Sequence, residues 1–193
     1  MKFRHVQPDM TYREKAKEFV EEFKTNNSKM HGGGNITMYL ENATYEEWLK
    51  NLNHKKQIIA DKTLVPDETY FLVNEENKII GIINIRLALN DKLRNIGGHI
   101  GYSIRPSERG KCYNKINLYL GLKRLNEVGE KEALIDCEVN NKASSGTIKA
   151  LGGKLTNRKN TEKYGIVESY IINIEESLKK FKDIYEKYLI YDN

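Results

Sequence analysis

The run Ile79-Ile-Gly-Ile-Ile-Asn-Ile85 constrains this chain more than any other stretch. Its residues are mostly β-branched and do not alternate with polar ones, so it reads as a strand buried on both faces. A sheet covered on both sides needs helices as its cover, and helical patterns flank the run. Thr11-Tyr-Arg-Glu14 and Thr44-Tyr-Glu-Glu47 each carry the reciprocal N-terminal capping pattern. The first opens a helix with Ala16, Phe19, Val20 and Phe23 on one face, ending in Thr25-Asn-Asn-Ser28, and the second opens a helix carrying Trp48, Leu49 and Leu52. A glycine-rich loop, Gly32-Gly-Gly-Asn35, lies between them. Strands are predicted over 1–6, over 70–73 and 78–89 as a hairpin, and over 99–104, 132–138, 153–156 and 166–172. Helices are predicted over 113–128 and 143–151, and an amphipathic helix over 173–190. The organisation is one α/β domain over 1–173 and a helical extension over 174–193, packed on that domain or on a partner subunit.

Composition enters by exclusion. With 193 residues, 31% charged and only 3 Pro, the chain is an ordinary globular sequence of one domain's length. No apolar run approaches the ~20 residues of a bilayer crossing, and the first fifteen residues hold no apolar signal core, so a cytoplasmic protein without a membrane partner is expected. Two cysteines without C-x-x-C spacing make no disulfide framework, and four dispersed histidines make no metal site. His31-Gly-Gly-Gly34 imitates an oxyanion loop, but no G-x-S-x-G elbow accompanies it, and neither a P-loop nor a dinucleotide fingerprint is present.

The segment that carries chemistry is Gly98 to Asn114. A strand ends at Pro106, a loop with Arg109, Gly110 and Lys111 comes next, and a helix starts at once. A helix N-terminus leaves backbone N–H groups unpaired and carries positive partial charge, which makes an anion seat. With no metal-binding carboxylate cluster nearby, the loop suits holding a pyrophosphate rather than cleaving it. Solvated loop charges remain the alternative reading of Arg109 and Lys111.

These residues resemble motif A of the GNAT acetyltransferases, in which Arg/Gln-x-x-Gly-x-Gly/Ala stands between a strand and a helix; the match is Arg109-Gly-Lys-Cys-Tyr-Asn114. A second block, Leu134-Ile-Asp-Cys-Glu138, Asn140-Asn-Lys-Ala-Ser144 and Leu151-Gly-Gly153, is similar to the family's pattern after its fifth strand. The resemblance spans about 70–172. It implies a mixed α+β fold with a mostly antiparallel sheet flanked by helices, in which two parallel strands, 99–104 and 132–138, splay apart. It further implies acetyl-CoA as co-substrate, with pantetheine amides on the strand around Ile104, the pyrophosphate on the backbone of Arg109, Gly110, Lys111, Cys112, Tyr113 and Asn114, and Asn141 touching the pantetheine. Cys112 and Asn114 depart from the family's small residues, and Ile148 stands where many relatives carry a proton-donating Tyr.

The reaction that the resemblance implies is transfer of an acetyl group to a primary amine of a small molecule or peptide by direct attack. The alternative is a non-catalytic module of the same fold that binds CoA or a protein partner. A base is needed because an amine with pKa near 10 is protonated at neutral pH. His99 is the first candidate and Glu138 the second, while Tyr102 is placed to protonate the leaving thiolate; each also has a structural reading. The acceptor side is expected from the N-terminal helices and the 31–45 loop, where Glu14, Glu18, Glu41, Glu46 and Glu47 either attract a cation or form solvated faces. Within 105–124, Arg105, Arg109, Lys111, Lys115, Lys123 and Arg124 outnumber Glu108 by five, which equals the whole chain's net +5. The basic excess therefore points to a small phosphorylated partner rather than to nucleic acid. A homodimer through the C-terminal helix is the sharper reading of that extension.

Overall fold

Residues Ile79–Arg86 form β3, buried along its length as far as Ile85, and its side chains serve two cores. Ile80, Ile83 and Ile85 join a core with Leu118, Leu122 and Ile135, whereas Ile79 and Ile82 join one with Phe19, Trp48 and Phe71. Each fully buried Ile stabilises the fold by about 1.5–3 kcal/mol before entropy is counted, which is why this strand organises the molecule. The computed structural model describes residues 1–191.

In chain order the elements are β1 (Phe3–Val6), α1 (Arg13–Thr25), α2 (Ile36–Asn42), α3 (Tyr45–Lys56), β2 (Asp67–Asn74), β3, α4 (Asp91–Asn95), β4 (Ile100–Ile104), α5 (Tyr113–Glu127), β5 (Glu132–Glu138), α6 (Lys142–Ala150), β6 (Lys154–Thr161), β7 (Gly165–Asn173) and α7 (Ile174–Tyr185). They build two antiparallel sheets, β1-β2-β3-β4 and β5-β7-β6. Helices α1, α2 and α3 cover one face of the first sheet, and α5 covers the other.

The mostly antiparallel sheet flanked by helices is as expected, and β4 and β5, the strands expected to splay apart, form no ladder with each other. Among the described residues they share one isolated bridge, Gly98↔Ile135, of antiparallel type. The His99 side chain explains the lack of a ladder, because its Nδ1 accepts from the Leu134 N–H that a neighbouring strand would otherwise use.

Three local expectations differ from the structure. The Thr11–Glu14 box does not form, because Asp9 takes the Thr11 N–H at 2.8 Å and α1 starts at Arg13 after a 3-10 turn. Thr44 and Glu47 do make their box. Two short helices, α2 and α4, stand where loops are predicted; Ile36 is fully buried, and Asn90 caps α4 through the Leu93 N–H.

Helix α7 lies on its own domain. Tyr185 stacks against Tyr119 of α5 at 5.3 Å, Ser177 Oγ donates to Leu151 O at 2.8 Å, and Ile190 N donates to Phe3 O at 2.8 Å. The same chain thus covers part of the helix's apolar face, while Ile184 and Tyr188 stay exposed. The last two residues of the 174–193 extension lie outside the described residues. No helix among the described residues is long and apolar enough to cross a membrane.

Candidate active site

Strands β4 and β5 meet at one end and stand open at the other. Arg86 N donates to His99 O and Arg105 N to Ile80 O, so odd-numbered residues of β4 face β3. The backbone groups of Ile100, Tyr102 and Ile104 therefore point away from β3, toward β5. At the closed end His99 N donates to Leu134 O at 2.7 Å, and Gly98 at φ +61 lies so near β5 that a Cβ would sit 2.3 Å from Leu134 O. Tyr102 spans the opening, its hydroxyl 2.9 Å from Ser144 Oγ at the start of α6. Burial pushes the Tyr102 phenol above its ordinary pKa, so it keeps its proton at neutral pH.

His99 is not a base facing this cleft. It is buried, its Nδ1 lone pair is committed to Leu134 N at 3.0 Å, and burial followed by the Arg94 charge brings its pKa down to about 4. Glu138 is half-buried on the free edge of β5, and its carboxylate makes no bond among the described residues. Asn141 caps α6 by accepting from Ser144 N at 3.0 Å, leaving its amide nitrogen without a partner among the described residues.

The loop before α5 is a row of donors. Arg109 N is bonded to Pro106 O and Lys115 N to Cys112 O, but the N–H groups of Gly110, Lys111, Cys112, Tyr113 and Asn114 find no acceptor among the described residues. Gly110 at φ +78 and Cys112 at φ +64 turn the backbone there. Cys112 thus holds the left-handed conformation that favours glycine, at a cost of about 1–2 kcal/mol, and it is exposed. The Tyr113 ring packs on Phe3 at 4.7 Å, and Asn114 Oδ1 accepts weakly from Asn117 at 3.4 Å, so neither side chain adds charge to the row. This cradle of unpaired N–H groups fits a pyrophosphate.

The basic side chains are placed otherwise than their spacing suggests. Arg109 Nε donates to Ile104 O at 3.2 Å and its Nη2 to Ser28 Oγ at 2.7 Å, with the guanidinium over the Phe23 ring. It braces the loop against α1 and takes the Ile104 carbonyl that the resemblance assigns to pantetheine, leaving the Ile104 N–H. Lys111 pairs with Glu108 at 2.8 Å, Arg105 with Glu22 at 2.7 Å, Lys123 with Glu186 at 3.4 Å and Arg124 with Glu68 at 2.6 Å. Burial raises the Glu108 pKa, but hydrogen bonds from Lys111 and Lys78 outweigh it and hold the carboxyl below its usual range. The excess of five positive charges is therefore largely neutralised, and only Arg109 and Lys115 of that segment lack a carboxylate within 4.0 Å among the described residues.

On the other side of β4 lies a cavity of about 650 Å³, walled by residues 30–38 and by Glu41, Lys55, Asp67, Asn84, Arg86 and Tyr164. Its floor is the glycine loop lying on the strand. His31 N donates to Ser103 Oγ at 2.7 Å, and a Cβ on Gly32, at φ +72, would sit 2.0 Å from Gly101 O. Trp48 Nε1 holds the loop from behind through Gly34 O at 3.0 Å. Of the acidic residues expected on this side only Glu41 lines the cavity. Glu14 and Glu46 pair with Lys17 and Arg13, and Glu47 is engaged in the capping box of α3, accepting from the Thr44 N–H. Asp67, Asn84 and Arg86 are new to the site; Asn84, the one polar residue inside the isoleucine run, is their sequence signal. No three His, Cys, Asp or Glu side chains among the described residues gather to hold a metal ion.

The sequence profile described as the acetyltransferase (GNAT) family matches residues 36–152. Among solved structures, RimJ of Mycobacterium smegmatis in complex with CoA-disulfide aligns over 94% of this chain and 88% of its own, with TM-score 0.69 and 12% identity. The spermidine/spermine N-acetyltransferase SpeG of Vibrio cholerae aligns over 93% of this chain and 98% of its own, at 0.62 and 12%. The microcin C7 self-immunity acetyltransferase MccE, in complex with acetyl-CoA and AMP, aligns over 89% and 92%, at 0.62 and 17%. Identities this low speak to the fold. No curated protein matches the chain. With the family profile covering more than half of its length, both the splayed strands and the donor loop inside that span, the chain belongs to the acetyltransferase (GNAT) family and is an N-acetyltransferase whose co-substrate is acetyl-CoA.

Proposed function

We propose that the chain acetylates a primary amine of a small molecule or peptide by direct attack in a ternary complex. The observation that carries this reading is the contact of Gly32 with Gly101, which sets the floor of the acceptor cavity directly on the strand that edges the cleft. Direct attack needs the amine nitrogen within about 3–3.5 Å of the thioester carbon, so an acceptor seated in the cavity must extend its amine past the edge of β4 into the open cleft.

Bound acetyl-CoA supplies the acyl thioester. The N–H groups of Gly110 to Asn114 hold its pyrophosphate, and the outward backbone groups of Tyr102 and the Ile104 N–H face its pantetheine, joined by the free amide nitrogen of Asn141. As the new N–C bond forms and the C–S bond breaks, Glu138 takes the proton the amine loses and Tyr102 gives its phenolic proton to the departing thiolate. The Ser144 hydroxyl stabilises the phenolate until it is reprotonated.

The test is free-thiol release from acetyl-CoA in the presence of a panel of primary amines, with mass analysis of the acceptor. Release matched one for one by an acceptor gaining an acetyl group is the expected result. Saturable acetyl-CoA binding without release on any amine would overturn the reading.

A further inference from the structure

The cavity above β4 holds a cation with no carboxylate in contact among the described residues. Arg86 sits at the end of β3, and its Nη1 donates to Gly97 O at 3.2 Å and Gly98 O at 2.8 Å. Its Nη2 and Nε make no bond among the described residues, yet neither is sealed from solvent, because Arg86 lines the cavity. No carboxylate among the described residues lies within 4.0 Å of it. Burial lowers its pKa, while Asp67 and Asp136 at longer range support the charge.

The other charges of the cavity are already spent. Asp67 accepts from Asn84 Nδ2 at 2.6 Å and pairs with Lys55 at 3.6 Å, and Glu41 pairs with Lys24 at 3.0 Å. After pairing, the wall carries the charge of Arg86 with no carboxylate in contact among the described residues. In the glycine loop that floors the cavity, the backbone N–H groups of Gly32, Gly33, Gly34 and Asn35 also find no acceptor among the described residues. Asp67 and Asp136 support the Arg86 charge only from a distance, so its Nε and Nη2 keep donors to spare, and the planar fork suits an oxyanion with two oxygens.

We infer that this cavity takes an acceptor carrying an oxyanion, a carboxylate or a phosphate, on the same small molecule as the amine, and that Arg86 is the residue that selects it. The inference rests on the transfer reading for the amine alone; the oxyanion site stands on Arg86 and the loop. A polycationic amine would bring further positive charge against Arg86 and is selected against.

The experiment is calorimetric titration of the full chain with β-alanine, phosphoethanolamine, ethylamine and spermidine, alongside CoA release from acetyl-CoA with each. β-Alanine or phosphoethanolamine is expected to bind at least ~10-fold more tightly than ethylamine, the scale of one charge-assisted pair. The two arms separate carboxylate from phosphate. Arg86→Gln is expected to abolish the difference and Arg86→Lys to keep part of it, because lysine retains the charge without the fork. Should Arg86→Gln fail to fold for want of its bonds to Gly97 and Gly98, the wild-type series decides. Equal affinity for ethylamine and the oxyanion amines, a preference for spermidine, or unchanged discrimination in a folded Arg86→Gln would overturn the inference. Oxyanion binding without CoA release on any amine would leave this site standing and sink the transfer reading; equal turnover of all four amines would do the reverse.

Discussion

His99 and Leu134 are joined twice: the backbone N–H of His99 donates to Leu134 O at 2.7 Å, and the backbone N–H of Leu134 donates to His99 Nδ1 at 3.0 Å. The second bond requires the proton to sit on Nε2, which lies 3.7 Å from Glu130 Oε2. One histidine thus closes the cleft at its base and keeps β4 and β5 from zipping further.

Acid should open this clamp. Burial holds His99 and His5 at about 4, against an ordinary value of 6.5. Below pH 6.5 the unfolded chain takes up protons that the folded chain refuses, so stability is at its plateau above 6.5 and falls as pH drops toward 4, by on the order of 1–3 kcal/mol per histidine. Urea midpoints measured from pH 7 to pH 4 are expected to decline across that window, and His99→Gln to flatten part of the decline. A midpoint independent of pH between 6.5 and 4.5 would contradict the clamp.

Cys112 occupies a left-handed backbone, so Cys112→Gly should stabilise the chain by about 0.5–1 kcal/mol, and β-branched Cys112→Val should destabilise it by more than that. Denaturant melts of the two variants check the sign. The glycine variant is expected to keep the wild-type KM for acetyl-CoA within about threefold, because the same N–H groups are presented.

The elements legible in the sequence are those whose signal is local. The isoleucine run of β3, the strand Glu132–Glu138 and the helix begun at Tyr113 stand where periodicity and punctuation place them. The phosphate loop is legible for the same reason, as a strand, a proline, a glycine among basic residues and a helix start. Sequence spacing does not reveal which partners neutralise those basic residues. Arg124 finds Glu68 56 positions away, and Lys78 reaches Glu108 30 positions away, pairings set by how strands stack rather than by neighbours in sequence. Helix α2 escapes a sequence reading because it lacks a side-chain cap and comes after three glycines; packing of Ile36 maintains it. The role of His99 is equally hidden, because a strand-start histidine looks the same in sequence whether it faces a cleft or the neighbouring strand.

Gly32 separates acceptor binding from cofactor binding. A methyl group there would meet Gly101 O at 2.0 Å, so Gly32→Ala must lift the loop from β4. The expected result is a rise of about tenfold or more in KM for the amine, with the KM for acetyl-CoA little changed, since a misplacement near 1 Å is costly in a positioned site. Steady-state kinetics in both substrates check it; parallel rises in both would show that the loop serves the whole domain rather than the acceptor.

The phenol at the mouth of the cleft gives the most direct test. Tyr102→Phe removes one hydroxyl 2.9 Å from Ser144 Oγ and keeps the ring, so the fold should lose only about 1 kcal/mol. Steady-state CoA release by this variant is expected to show kcat lowered by about 100-fold, with the KM for acetyl-CoA within about threefold of wild type. An unchanged kcat would contradict the assignment of Tyr102 as the proton donor and, with it, the account of how this cleft transfers an acetyl group.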